Sequence, residues 1–210
     1  MPHFKRPSSG TAKLLVTLAV LGATASIAGL GTFATFTSST SASHQISTGT
    51  LTLSLGTPGT SANRLTVDAT DVAAGDTIQR AFDLSSSGTI DFSATPTLTT
   101  TASPSSLLDS DTTDGLQMVI DKCSVPWTEG GSAPAYTYTC GGSTSSVVAS
   151  TPVIVTNQAM SNVASLVNAG NTVHLRLTLT LPSSAGNTLQ GKSSTITYTF
   201  TGTQRAATNR

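Results

Sequence analysis

Val173-His174-Leu175-Arg176-Leu177-Thr178-Leu179-Thr180-Leu181 alternates apolar and polar residues without a break over nine positions. A period of two places Val173, Leu175, Leu177, Leu179 and Leu181 on one face and the polar residues on the other, as a half-buried β-strand requires. Thr195-Ile196-Thr197-Tyr198-Thr199-Phe200 repeats the pattern, with Ile196, Tyr198 and Phe200 opposite three threonines, and is read as its partner. Between the two lies Pro182–Ser193, which is too long for a tight hairpin.

Upstream, Leu51–Leu55 (LTLSL) alternates cleanly, and 64–67 (RLTV) reads as a short strand. Ala74-Gly75-Asp76 signals a turn into 77–84 (TIQRAFDL), where Ile78, Arg80, Phe82 and Leu84 alternate unevenly because an arginine sits among apolar residues. Ser85–Gly88 breaks the chain before 89–94 (TIDFSA). A polar, proline-containing stretch leads to 116–123 (LQMVIDKC) and, past a loop, to 135–140 (AYTYTC). The wholly apolar 152–155 (PVIV) reads as a short buried strand. Only 161–170 (SNVASLVNAG) has helical spacing, in Val163, Leu166 and Val167, with Ser161 as a candidate cap and Gly170 at its end. Short strands in succession, without the helices a parallel sheet needs, predict an all-β, antiparallel β-sandwich with one or two short helices.

Composition agrees. Ser and Thr abound, and β-branched Thr suits a pleated surface. Only 10% of residues are charged and the formal net charge is zero, which excludes the basic footprint of a nucleic-acid binder.

The N-terminus reads differently. Lys5, Arg6 and Lys13 precede an uncharged run of about 18 residues, 14–31 (LLVTLAVLGATASIAGLG), followed by small residues. This is the pattern of a helical secretory signal, near the lower limit for a membrane-spanning helix. Membrane contact is expected only through this segment while uncleaved. In 31–42 (GTFATFTSSTSA), Thr32 and Ala34 offer small residues for a cut between Ala34 and Thr35, and Ser41-Ala42-Ser43 offers a second site. The predicted organisation is a signal at 1–34, an extended arm at 35–50, a sandwich at 51–205 and a tail at 206–210. Three of the ten basic residues fall within the signal, leaving a weakly acidic remainder. Cys123 and Cys140 both lie in the exported part, and an even count in an oxidising compartment reads most simply as one intrachain disulfide. A redox pair is the alternative, but the CxxC spacing is absent.

GTFATF at the export boundary, STGTLTLSL after it, AAGDTIQRAFDLSSSGT further on and NTLQGKSSTITYTFTGTQR near the end together resemble the TasA/CalY (camelysin) family of Gram-positive secreted proteins. The middle, with the Cys123–Cys140 loop and Trp127, departs from the best-known members. The resemblance implies a jelly-roll-like sandwich and cleavage after Ala34 by a SipW-type signal peptidase. It also implies a cell-surface or biofilm-matrix role, with subunits self-associating into fibres by donating the N-terminal arm, in which Phe36 and Ile46 are the apolar candidates.

Camelysin also names a metallopeptidase activity, which would require a set of metal ligands. There is no HExxH, and beyond the signal only His44 and His174 remain, His174 being read as a solvated residue on the polar face of its strand. No GxSxG elbow and no phosphate-binding Gly loop occurs. Asp109, Asp111 and Asp114 in 109–115 (DSDTTDG) stand at positions 1, 3 and 6 of a calcium-type loop, but position 12 is Ile120 where a bidentate Glu belongs, so a solvated acidic loop is expected. Trp127, Tyr136 and Tyr138 are expected to pack the disulfide loop onto its sheet, with an adhesive surface as the alternative. The residues thus predict no catalytic, metal or cofactor site. They point to a secreted structural protein, with a metal-dependent endopeptidase or a monomeric adhesin as alternatives.

Overall fold

A computed structural model describes residues 48–208. The assignments to residues 1–47, namely the signal, the cut between Ala34 and Thr35, and Phe36 and Ile46 of the arm, lie outside the described residues.

Among the described residues ten strands occur in chain order. They are β1 (Leu51–Leu55), β2 (Thr77–Gly88), β3 (Thr97–Ala102), β4 (Gln117–Cys123), β5 (Trp127–Ser132), β6 (Ala135–Cys140), β7 (Thr144–Pro152), β8 (Gln158–Ala159), β9 (Thr172–Thr180) and β10 (Ile196–Thr201). They form a five-stranded sheet in the order β1-β2-β9-β4-β7, a three-stranded sheet in the order β10-β3-β8, and the hairpin β5-β6. Every pairing is antiparallel. The all-β sandwich predicted from the alternating runs is the observed architecture.

The two main sheets share one apolar core. Phe82 and Leu84 of β2, Leu175, Leu177 and Leu179 of β9, Met118 and Ile120 of β4, and Val148 of β7 meet Leu98 of β3, with Ile196, Tyr198 and Phe200 of β10 packed against them. The Phe82 and Phe200 rings lie 5.4 Å apart between centroids, one from each sheet. Strand β9 is central because its leucines are buried without exception, which only a strand flanked on both sides and covered on its apolar face achieves.

Several local expectations are corrected. Strand β10 does not pair with β9; it belongs to the other sheet and pairs with β3, from Ile196 opposite Ala102 to Thr201 opposite Thr97. Residues 64–67 form a turn, closed by Val67 N–H donating to Arg64 O. Residues 89–94 form a loop whose Phe92 is buried and bridged to Gln204. In 152–155 only Pro152 belongs to a strand. Thr100 Oγ1 donates to Val153 O and accepts from Val155 N–H, so a side chain stands in for a neighbouring strand. The 161–170 segment supplies only one 3-10 turn, Ala164–Val167, and Ser161 does not cap it. Asn162, at φ 59°, bends the chain just before that turn, while Val163 and Leu166 are buried as their spacing foretold. A single helical turn, α1 (Leu107–Ser110), sits in the polar stretch and is closed by a capping box of Ser106 and Asp109.

Candidate functional site

The five-stranded sheet is wider than the three-stranded one, and the mismatch leaves a groove where the smaller sheet stops at β10. Leu55, Ile78 and Arg80 from the larger sheet face Ile196 and Tyr198 of β10 across it, with Leu177 and Leu179 on its floor and the 65–72 loop along one wall. Its volume is about 850 Å³. Strand β10 pairs only with β3, so its other edge is unpaired among the described residues and borders the groove.

Arg80 is a charged residue on the largely apolar inward face of β2, and it is buried. Its Nε donates to Val67 O at 2.9 Å, Nη1 to Gln79 O at 2.7 Å and Nη2 to Asp68 O at 3.0 Å. Burial holds its pKa below the ordinary arginine value, partly offset by nearby tyrosines and Asp68. Tyr198 is desolvated, which pushes its phenol upward, and the charge of Arg80 opposes that shift. The uneven alternation of 77–84 was the only sequence signal of this position.

On the outer face of the five-stranded sheet lies the β5-β6 hairpin. Cys123 and Cys140 are joined, with Cα atoms 5.7 Å apart. Ala81 of β2 and Cys123 form a small second core with Trp127 and Tyr138. Trp127 Nε1 donates to His174 O at 3.1 Å, and the Arg176 guanidinium lies over its ring at 4.5 Å. Arg64 grips Glu129 with two hydrogen bonds, Nε to Oε2 at 2.9 Å and Nη2 to Oε1 at 2.7 Å, and covers the Tyr136 ring. The Tyr138 hydroxyl donates to Glu129 at 3.0 Å, and burial pushes its pKa up to about 12. The Arg64 bonds hold the Glu129 carboxylate below its usual pKa, against the opposing effect of burial. The three aromatics pack the disulfide loop onto its sheet, as expected.

His174 is not the solvated residue predicted. Its Nδ1 lies 2.7 Å from Asp83 Oδ1, and its side chain is only 21% exposed. The register that sets Asp83 directly opposite His174 brings them together. The acidic loop is likewise not simply solvated. Asp109 is buried and accepts from Ser105 Oγ at 2.6 Å, Ser194 Oγ at 2.5 Å and Ser106 N–H at 2.7 Å. Asp111 accepts from the Thr113 and Asp114 amides, and Asp114 from Ser184. These carboxylates close turns; they do not converge.

A sequence model of the camelysin metallo-endopeptidases matches residues 11–209. The chain belongs to the camelysin family. No curated protein sequence matches it. The family description implies a metal, and the donor set of this camelysin-family chain can be tested against one. Among the described residues no three His, Cys, Asp or Glu side chains lie together as a ligand set. His174 is engaged by Asp83, and the next acidic side chain on that face, Asp121, is bound by Arg176 at 2.8 Å. A catalytic zinc needs three protein ligands and an open position, and the described residues do not supply them.

Proposed function

We propose that this camelysin-family chain is a secreted structural protein of the cell surface or biofilm matrix, whose copies join when the N-terminal arm of one adds a strand to another. The observation that carries this reading is the edge of β10, unpaired among the described residues, beside a groove with a leucine-lined floor. A row of free N–H and C=O groups accepts an extended segment through main-chain hydrogen bonds, while alternate apolar side chains fill the groove. The arm, Thr35 to about Thr48, is polar enough to stay soluble before pairing, and Phe36 and Ile46 are the residues expected to enter the groove. The disulfide suits an oxidising compartment, in keeping with export. Removal of 1–34 by the signal peptidase frees the arm, so the cut separates a tethered precursor from an assembling subunit.

The test compares the secreted chain with a variant lacking residues 35–48, by sedimentation and electron microscopy. The full mature chain forms filaments and the variant stays monomeric; equal polymerisation of the two refutes strand addition by the arm. The family description favours a second reading, a metal-dependent endopeptidase. It requires casein hydrolysis that a chelator and His174→Ala both abolish, and inactivity after zinc addition refutes it.

A further inference from the structure

Residues 65–72 form one wall of the groove, and few bonds hold them there. Before them the chain is fixed at Ala62 and Arg64, whose main-chain groups bond to Asp83 and Ala81 of β2. After them it is fixed at Gly75 and Asp76, which bond to the two main-chain groups of Leu181. Between these anchors, Leu65 N–H and Val67 N–H donate only back to Asn63 and Arg64. Among the described residues, the hydrogen bonds that tie 65–72 to another element come from Arg80 alone. They run from Nε to Val67 O at 2.9 Å and from Nη2 to Asp68 O at 3.0 Å. Leu65 and Val72 pack against the core. From 65 to 70 half-buried and exposed residues alternate as in a strand, with Leu65, Val67 and Ala69 half-buried, yet the segment joins no ladder. Asp71 stands at φ 57°, in the left-handed region, a conformation that a freed loop can leave for a better one.

We propose that residues 65–72 are a releasable strap, latched by Arg80, whose swing away from the groove opens it to an added strand. A segment with few main-chain bonds and a small share of the apolar contacts opens locally while the sheets stay folded. The strap has the alternation of a strand without its ladder, so it is a placeholder that a segment able to pair with β10 displaces. An arriving strand makes main-chain hydrogen bonds that 65–72 does not make, and its apolar side chains take the places of Leu65 and Val72. Because Arg80 is buried, its bonds to the two carbonyls are stronger than they would be in water, and they set how readily the strap lifts. The role in strand addition rests on the assembly reading above, whereas the opening itself does not.

The experiment treats the mature secreted chain, diluted until sedimentation shows monomers, with an endoprotease that cuts before aspartate. Cuts before Asp68 and Asp71 read the strap, and cuts before Asp83 of β2 and Asp121 of β4 read global unfolding. The strap sites are cut first, at a rate nearly independent of low urea, because a local opening exposes little surface. Arg80→Met removes the latch and keeps an unbranched side chain. It speeds the strap cuts at least about tenfold, the effect of losing hydrogen bonds from a charged donor. Arg80→Lys restores part of the delay. Global destabilisation speeds the cuts at all sites together, so the ratio of strap to strand cuts separates the two effects. At equal concentration Arg80→Met also grows filaments faster than the wild type. Strap cuts that rise with urea in step with those at Asp83 and Asp121, or that stay unchanged in folded Arg80→Met, overturn the proposal. Faster strap cuts with filament growth at the wild-type rate overturn its role in strand addition. Strap cuts as expected from a wild-type chain that forms no filaments support the strap and overturn the assembly reading. Should Arg80→Met fail to fold, Leu65→Ala takes its place, and unchanged strap cuts there and in Arg80→Lys overturn the proposal.

Discussion

Replacing Cys123 and Cys140 together by alanine isolates what the covalent bond adds to a hairpin already held by packing. Alanine is the right substitute because Cys123 is 2% exposed, and a serine there would bury an unsatisfied hydroxyl. The bond spans a sequence separation of 17. The chain-entropy relation for a loop of that size gives about 3 kcal/mol, chiefly by restricting the unfolded chain. For a domain of this size each kcal/mol moves the thermal midpoint by about 2–4 °C, so the double variant melts about 6–12 °C lower. The native hairpin persists in the variant, because Trp127 still donates to His174 O and Arg64 still grips Glu129. Urea and thermal unfolding of the mature chain measure the loss, and near-ultraviolet circular dichroism of Trp127 reports whether the hairpin stays docked. Reduction of the wild-type chain is an independent route to the same number. A loss below about 1 kcal/mol by both routes refutes the entropic argument. Loss of the Trp127 signal under native conditions refutes the claim that packing alone holds the hairpin.

Leu175→Ala in β9 leaves a cavity at a site that is 0% exposed, and is expected to destabilise the chain by about 3–5 kcal/mol in urea unfolding. The same change at exposed Leu107 is expected to cost under about 0.5 kcal/mol, the range of surface substitutions. Asp109 contributes to the acid limb. Burial alone would raise its pKa, but the bonds from Ser105, Ser194 and the Ser106 amide hold it below the ordinary value. Because the folded pKa is depressed, the stability it contributes is present above the unfolded value near 3.8 and is lost as pH falls through the folded one. Asp109→Asn should therefore lower stability at pH 7 and flatten its decline below pH 4, as followed by unfolding across pH 2–7.

The buried face of β9 was legible because each leucine's direction follows from a period of two, whatever the rest of the chain does. The same holds for Ile196, Tyr198 and Phe200. What the alternation does not encode is which strand lies alongside. TITYTF had the pattern of a partner for VHLRLTLTL, yet β10 pairs with β3, about a hundred residues earlier, from Ile196 opposite Ala102 to Thr201 opposite Thr97. The segments 64–67 and 152–155 failed as strands because distant groups take their backbone, Arg80 at Val67 O and Thr100 at Val153 O and Val155 N–H. The candidate site was hidden for a similar reason. Arg80 was visible only as an irregularity in 77–84, and no spacing joins it to Tyr198, 118 positions later.

The sequence by itself determined the class of fold, the inward residues of its long strands, the pairing of its two cysteines and the absence of a recognisable catalytic motif. These depend on local periodicity, composition and count. Tertiary structure decided the division of the described residues into sheets of five and three, the groove their mismatch leaves beside β10, and the engagement of His174 by Asp83. Those depend on contacts between residues far apart in the chain, where many apolar faces are interchangeable in pattern. Packing against one shared core, with partners found for buried polar groups such as Asp109 and Thr100, selects among them.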